Sequence, residues 1–312
     1  GKRLNAGHIG FVIGPCFNAA GRISTVSASF DLLMETEYGE ALKKAQKLKE
    51  INETRKEMTE EGVKQASAML EGKPLSDVLV LLLPDVHESL AGIVAGRIKE
   101  NTGHPVIVFT RISDSNVKGS GRSIEAYHMF HELLSCKDLM SRFGGHKMAA
   151  GMTLPEANLP ELTRRLNEQS VLLPEDFCPV VRIDAPMPVG FATERLVEEF
   201  GRMEPFGVGN PKPVFAEQHF SILRAQQLGK DGNVLKMYVQ NCLGNRCEAM
   251  LFRGKEEFEQ FLVENFGGRE LKRMYEGKEN DIDVAFTYFP IVNEFRGSRT
   301  VQIQVSGYCR IE

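Results

Sequence analysis

The stretch from about residue 26 to 72 limits the architecture more than any other. It reads "SASFDLLMETEYGEALKKAQKLKEINETRKEMTEEGVKQASAMLEG". Apolar residues recur three and four apart, at Ala41, Ala45, Leu48 and Ile51, then at Met58, Val63, Ala66 and Met69. Charged residues fill the other faces in Glu-Lys and Glu-Arg pairs, so the spacing predicts helix throughout. Gly39 marks a break between a short first helix and a second of roughly 30 residues, about 45 Å long. A helix that long and that polar is usually a connector between domains, and the heptads are not clean enough for a coiled-coil arm. The chain is therefore expected to hold more than one compact body.

Past the helix the pattern changes character once more. Residues 75 to 170 alternate between strands such as "DVLVLLLP" and "PVIVFT" and helices such as "ESLAGIVAGRIKENTG", the pattern of a small α/β domain with a mixed sheet. "VKGSGRS" is expected as a strand and "FGGHKMAAG" as a turn. Beyond "EPFGVGNPKPVFA", a Gly/Pro-rich loop, come five short strands with "KEEFEQFLVENF" as a helix between the third and fourth, the pattern of an OB-like barrel. The fold class is thus α/β plus all-β. The segments run 1–25, 26–72 (connector helices), 73–172 (α/β domain) and 173–312 (barrel domain). The opening "GHIGFVIGP" reads as the end of a strand meeting a Gly-Pro turn, and suggests a piece of a longer protein.

With 312 residues, 42% hydrophobic and 26% charged, the composition is that of an ordinary globular protein. No apolar run approaches the length that spans a bilayer. Six scattered cysteines form no C-x-x-C pair, which argues against a zinc ribbon or a disulfide framework and suits a reducing cytoplasm. Cys242 and Cys247 flank "LGNR", which resembles a hairpin tip more than half a metal site. Net charge is −4, so bulk charge does not announce nucleic acid, and any phosphate site must be a local groove.

Four stretches carry candidate chemistry. In "GPCFNAAGR", Arg22 could deliver a guanidinium to a phosphate, although capping a carbonyl or pairing with a carboxylate is the plainer role. In "DVHESLAGIVAGRIKE", His87 sits where a strand's carboxyl end meets a helix rich in small residues; it either contacts a ligand or bonds the helix end. "VKGSGRSI" gathers Lys118, Ser120, Arg122 and Ser123 around two glycines, whose N–H groups could approach an anion. A glycine hairpin would account for the glycines but not for the donors. In "FGGHKMAAGM", Gly144 and Gly145 suit a turn with exposed backbone, and His146 can donate to phosphate or stack on a base, while Ala149, Ala150 and Gly151 read as packing. In the barrel domain, Lys236, Arg253, Arg296 and Arg299, interleaved with Tyr238, Phe252 and Phe295, could line a single-strand groove; solvated barrel faces explain the same charges.

Taken in order, these motifs resemble the RecJ family, bacterial single-strand-specific 5′→3′ DNA exonucleases of the DHH phosphoesterase superfamily. "GPCFNAAGR" is similar to the junction after the family's metal-binding domain, "INETRKE" to its connector helix and "DVHESLAGIVAGRI" to its Trp-His-x-Gly element. "KGSGRSI" and "FGGHKMAAG" are similar to its DHH-associated domain, and "EPFGVGNPKPVF" to the entry into its OB domain. The resemblance implies two-metal chemistry with manganese or magnesium held by an upstream domain. No D-H-H triplet occurs here, so no metal ligand is expected in this chain, and the fragment alone is expected to be inactive. It also implies that Arg22, Ser120 and Arg122 hold phosphates near the 5′ end, with Lys118, Ser123, Gly144 and Gly145 beside them. His146 and His87 are the catalytic candidates. Cys16, Val86 and Ser89 depart from the family pattern, which usually has a basic residue, Trp and Gly there.

The expected function is the DNA-binding, cleft-completing part of an exonuclease in DNA repair and recombination. Single-stranded DNA is the expected partner, with a single-strand-binding protein and a helicase, and the protein is expected as a cytoplasmic monomer. A non-catalytic nucleic-acid-binding module is the alternative. A sibling phosphoesterase of short oligonucleotides or cyclic dinucleotides fits less well, since those relatives usually lack the OB-like tail.

Overall fold

The structure is a computed structural model and describes residues 4–25, 27–178, 180–207, 209–229, 232–295 and 297–311. The chain divides into two compact units, residues 1–180 and 181–312.

The first unit opens with helix, not the expected strand. Helix α1 (Ala6–His8) passes through a π-helical stretch, Ile9–Ile13, into α2 (Gly14–Ile23). At the junction the Gly14 N–H bonds the carbonyl of Ile9, five residues back. The wide turn falls just ahead of Pro15, whose ring would crowd the carbonyl four residues back in α register. Helix satisfies its backbone groups internally, which a lone strand with no neighbour cannot do. Helix α3 (Ser27–Leu33) follows, then α4 (Tyr38–Leu70), 33 residues long. The break between them lies before Gly39. Glu37 caps α4 by accepting from the N–H groups of Gly39 and Glu40 at 3.0 and 2.6 Å. Glu35 meanwhile pairs with Lys44 at 2.5 Å.

The sheet is built from β1 (Leu79–Leu82), β2 (Val106–Arg111), β3 (Asn116–Arg122), β4 (Arg142–His146) and β5 (Ala149–Pro155), in the order β1-β2-β3-β5-β4. Helix α5 (Glu88–Thr102) carries the chain from β1 to its parallel neighbour β2, and the remaining pairs are antiparallel. Helices α6 (Met129–Leu134) and α7 (Leu159–Glu168) complete the unit. Val106 to Thr110 are buried on both faces of β2, as a strand with a layer on each side requires. One layer packs Leu81, Val106 and Val108 against Val94, Ala95 and Ile98 of α5. The other packs Ile107, Phe109 and Val117 with Met129, Leu133, Leu162 and Leu166. Gly62 of α4 lies so close to α5 that a Cβ there would stand 3.0 Å from a methyl of Val94.

The second unit begins with β6 (Ala185–Pro186) and α8 (Glu194–Gly201). The barrel strands are β7 (Phe215–Leu228), β8 (Val234–Asn241), β9 (Arg246–Leu251), β10 (Asp283–Phe295) and β11 (Ser298–Arg310). Their order is β10-β11-β9-β8-β7, and pairing of β10 with β7 closes the barrel, with β11 and β9 parallel. Between β9 and β10 the expected helix is present as α9 (Lys255–Phe266), joined by an unanticipated α10 (Gly268–Tyr275). Phe220, Phe258, Phe286 and Tyr288 fill the barrel, and the Tyr288 hydroxyl donates to the carbonyl of Met187. The loop ahead of β7 is ordered by Asn210, whose amide donates to the carbonyls of Met203 and Pro205 at 2.8 and 3.0 Å. Phe206 anchors it edge-on against Phe289, with ring centroids 5.9 Å apart.

Candidate anion and nucleic-acid interface

Strand β3 sorts its residues by pleat. Val117, Gly119 and Gly121 face the core, while Lys118, Ser120 and Arg122 share the opposite face. The glycines therefore do not cradle an anion with their backbone, since both neighbours of β3 are paired with it. They make room: a Cβ at Gly119 would lie 2.4 Å from the Phe109 ring, and one at Gly121 would lie 3.2 Å from Met129. The chemistry is in the alternate side chains.

Arg122 is half-buried beneath α5. Its Nη1 donates to the Gly121 carbonyl at 2.7 Å and to Ser120 Oγ at 3.2 Å. Gly92 of α5 gives it space, because a Cβ there would lie 2.5 Å from Arg122 Nη2 and 2.7 Å from Ser120 Oγ. Burial lowers the Arg122 pKa, and the nearby charge of Arg22 lowers it further. Arg22 comes from the last turn of α2, within the helix and not at a loop-to-helix junction, and its Nη1 donates to the Ser89 carbonyl at 2.7 Å. Both guanidinium groups thus reach the start of α5, Arg22 at the Ser89 carbonyl and Arg122 at Gly92 one turn on, and among the described residues neither is paired with a carboxylate. Like charges repel, so such a pair is poised for an anion that both can grip.

Strands β4 and β5 extend this face. "FGGHKMAAG" is a two-stranded hairpin with Lys147 and Met148 at its tip, not the expected turn. Gly144 and Gly145 lie within β4, opposite Gly151 and Ala150. Residue 145 must be glycine, since a Cβ there would stand 2.3 Å from the Ala149 carbonyl oxygen. Cross-strand rows place Ser120, Gly151 and Gly144 side by side, and likewise Arg122, Ala149 and His146. Gly144, Gly151 and His146 are exposed. The result is a shelf whose middle is bare backbone at Gly144 and Gly151, flanked by Ala149 and Thr153, with Arg122 and Ser120 on one side and His146 and Arg142 on the other.

Other expected residues are placed differently. Ser123 is buried, and its hydroxyl donates to the Tyr127 carbonyl at 2.7 Å, so it is not available to a ligand. Lys118 is paired with Glu88 at 3.0 Å, which offsets its charge. His87 caps α5; its Nδ1 lies 3.3 Å from the Ser89 N–H and 2.8 Å from Ser89 Oγ.

On the barrel, the expected groove residues do not converge. Arg299 is tied to Glu198 at 2.7 Å and to Glu194 at 3.6 Å. Lys236 pairs with Glu248 at 2.6 Å, and Arg253 is exposed after β9. Arg296 and the side chain of Phe295 lie outside the described residues. What the barrel does present is a groove of about 580 Å³ lined by Arg224, Tyr238, Arg246, Glu248, Thr300 and Val301 among others. The Arg224 guanidinium lies 3.9 Å from the Tyr238 ring centroid, with Lys236 Nζ at 5.0 Å from the same ring. Arg224 and Arg246 were missed by sequence reasoning. Residue 224 pairs with 238 across β7 and β8, but a bulge between 222 and 224 shifts the register and hides that pairing in the sequence.

A mixed sheet carrying paired arginines, followed by a closed OB-like barrel, defines a class in which a DHH-associated domain precedes an OB domain. Residues 76–170 match the DHHA1 domain family, and residues 183–307 match the RecJ OB domain family. The single-stranded-DNA-specific exonuclease RecJ of Salmonella typhimurium is 32% identical over 319 residues, 97% of this chain and 51% of the relative. That of Escherichia coli is 32% identical over 315 residues, again 97% and 51%. RecJ from Thermus thermophilus, solved in complex with Mg²⁺, superposes with a TM-score of 0.75 at 25% identity, covering 99% of this chain and 44% of that one; a form solved with Mn²⁺ gives 0.76. The chain belongs to the RecJ family. It spans about half the length of these curated relatives.

Proposed function

We propose that this chain is the strand-holding half of a single-strand-specific 5′→3′ DNA exonuclease. The observation that carries the proposal is that the guanidinium groups of Arg22 and Arg122 meet α5 one turn apart, beside a shelf whose backbone is bare at Gly144 and Gly151. A terminal phosphate fits between the guanidinium groups through charge-assisted, bidentate bonds. The nucleotide behind it lies over Gly144 and Gly151, where no side chain reads base edges, which suits an enzyme indifferent to sequence. His146 stands across the shelf as a substrate contact. His87 acts on Arg22 through Ser89 and not on substrate. The barrel also contacts the strand, with bases stacking on the Arg224–Tyr238 pair.

Divalent metal belongs to the proposal as a cofactor of the whole enzyme, given that RecJ from Thermus thermophilus was solved with Mg²⁺ and with Mn²⁺. Among the described residues no group of three or more His, Cys, Asp or Glu is placed to hold a metal ion. The residues here do not fit that group, and no step is assigned through it. The family resemblance extends the proposal to DNA repair and recombination in the cytoplasm, with a single-strand-binding protein and a helicase as partners of a monomer.

The test is binding and cleavage of 5′-phosphorylated single-stranded DNA with Mn²⁺, by this chain and by a protein with a RecJ-type DHH domain joined ahead of it. The expected result is binding without cleavage for the chain and cleavage by the joined protein. Robust cleavage by the chain alone would overturn the divided site, and absence of binding would overturn the whole reading.

A further inference from the structure

Two like charges brought to the first turn of one helix, Arg22 at Ser89 and Arg122 at Gly92, need something to hold them there. The residue pair 22 and 89 does this reciprocally. Arg22 Nη1 donates to the Ser89 carbonyl at 2.7 Å, and Ser89 Oγ donates to the Arg22 carbonyl at 2.9 Å. That carbonyl belongs to the last turn of α2, where helix carbonyls lack an intrahelical donor. Ser89 therefore caps one helix from the first turn of another, and ties backbone and side chain of Arg22 together. The hydroxyl is oriented in turn by His87, whose Nδ1 lies 2.8 Å from it. A hydroxyl has one proton. If that proton goes to the Arg22 carbonyl, His87 Nδ1 must be the donor to Oγ, giving a directed chain from His87 to Ser89 to Arg22; in that tautomer the 2.8 Å bond to Oγ replaces acceptance of the Ser89 N–H, the longer contact at 3.3 Å.

We propose that Ser89, oriented by His87, is a positioning residue that fixes the Arg22 guanidinium beside Arg122 and so sets discrimination for a phosphorylated strand end. Without the Ser89 hydroxyl, the Arg22 carbonyl loses its donor and the side chain keeps only the bond to the Ser89 carbonyl, so its place near Arg122 on α5 is held less firmly. Neither Ser89 nor His87 touches the anion. The inference rests on the reading of the arginine pair as a phosphate site.

The experiment measures the ratio of affinities for 5′-phosphorylated and 5′-hydroxyl single-stranded DNA in the whole chain, for the parent and for Ser89→Ala, Ser89→Thr, Arg22→Ala and Arg22→Ala/Ser89→Ala. Ser89→Ala is expected to cut the ratio about three- to tenfold, the effect of one lost hydrogen bond. Ser89→Thr restores the hydroxyl and should restore the ratio. The double variant should match Arg22→Ala, because Ser89 acts only through Arg22. If Arg22→Ala leaves the ratio unchanged, the phosphate site itself is wrong. If Arg22→Ala collapses it while Ser89→Ala does not, or if Ser89→Ala lowers both affinities equally, the site stands and the positioning role falls.

Discussion

Gly92 illustrates how much of the site is made by what is missing. A methyl group there would meet Arg122 Nη2 at 2.5 Å and Ser120 Oγ at 2.7 Å, both side-chain atoms that can turn aside and not backbone. Gly92→Ala should therefore be tolerated by the fold, with helix propensity favouring alanine by up to about 1 kcal/mol. Displacing the guanidinium should nevertheless weaken binding of 5′-phosphorylated DNA on the order of tenfold. Thermal unfolding and affinity of the same variant separate the two effects; a parallel loss of both would mean that Gly92 serves packing alone. Arg122 and Ser120 were readable from the density of donors in "VKGSGRSI". Ser123 was not, because one step along a strand turns a side chain from the ligand face into the core. Arg22 was readable only through the family resemblance, since a lone arginine in a helix has many duties.

At the scale of elements, "FGGHKMAAG" was misread as a turn because paired glycines usually mark one. Here they lie in an exposed edge strand, one of them forced by the neighbouring Ala149 carbonyl. The strand β3 was located correctly, but its glycines belong to the core. Gly119→Ala should cost about 1–3 kcal/mol by overpacking against Phe109, read as a shift in denaturant midpoint; an unchanged midpoint would show that Phe109 can move aside. The start of α4 carries a pH dependence. Lys44 holds the Glu35 pKa down to about 2, and bonds from the Gly39 and Glu40 amides lower that of Glu37. Carboxylates with depressed folded pKa values stabilise above their ordinary range and lose that contribution as pH falls. Amide protection at Gly39 and Glu40 should thus persist below the ordinary Glu value of 4.5 and decline as pH falls further. Protection that stays constant across this window would remove Glu37 as the effective cap.

The whole molecule was the most legible level. The alternation of helix and strand, then five strands broken by a helix, is enough to anticipate an α/β unit and a closed barrel, because hydrophobic period follows directly from secondary structure. Side-chain convergence was the least legible. Lys236 and Arg299 are engaged by Glu248 and by Glu194 and Glu198, while Arg224 and Tyr238 meet only through strand pairing across a bulge. Each unit has its own core, and the proposed contacts to the strand are divided between them. Losses from Arg122→Ala and Tyr238→Ala in affinity for single-stranded DNA should then add within about 0.5 kcal/mol, as a double-variant titration would reveal; strong coupling would argue that the two surfaces act as one site.

The arginine pair is the centre of the account, and end recognition tests it most directly. Affinity for one single-stranded oligonucleotide should be measured with a 5′-phosphate and with a 5′-hydroxyl, on the parent chain and on Arg122→Ala. The parent should prefer the phosphorylated end, and the variant should lose about 1.5–3 kcal/mol of that preference, the worth of a charge-assisted bond, while binding the hydroxyl end nearly as before. Equal affinities for both ends in the parent, or an undiminished preference in the variant, would contradict it.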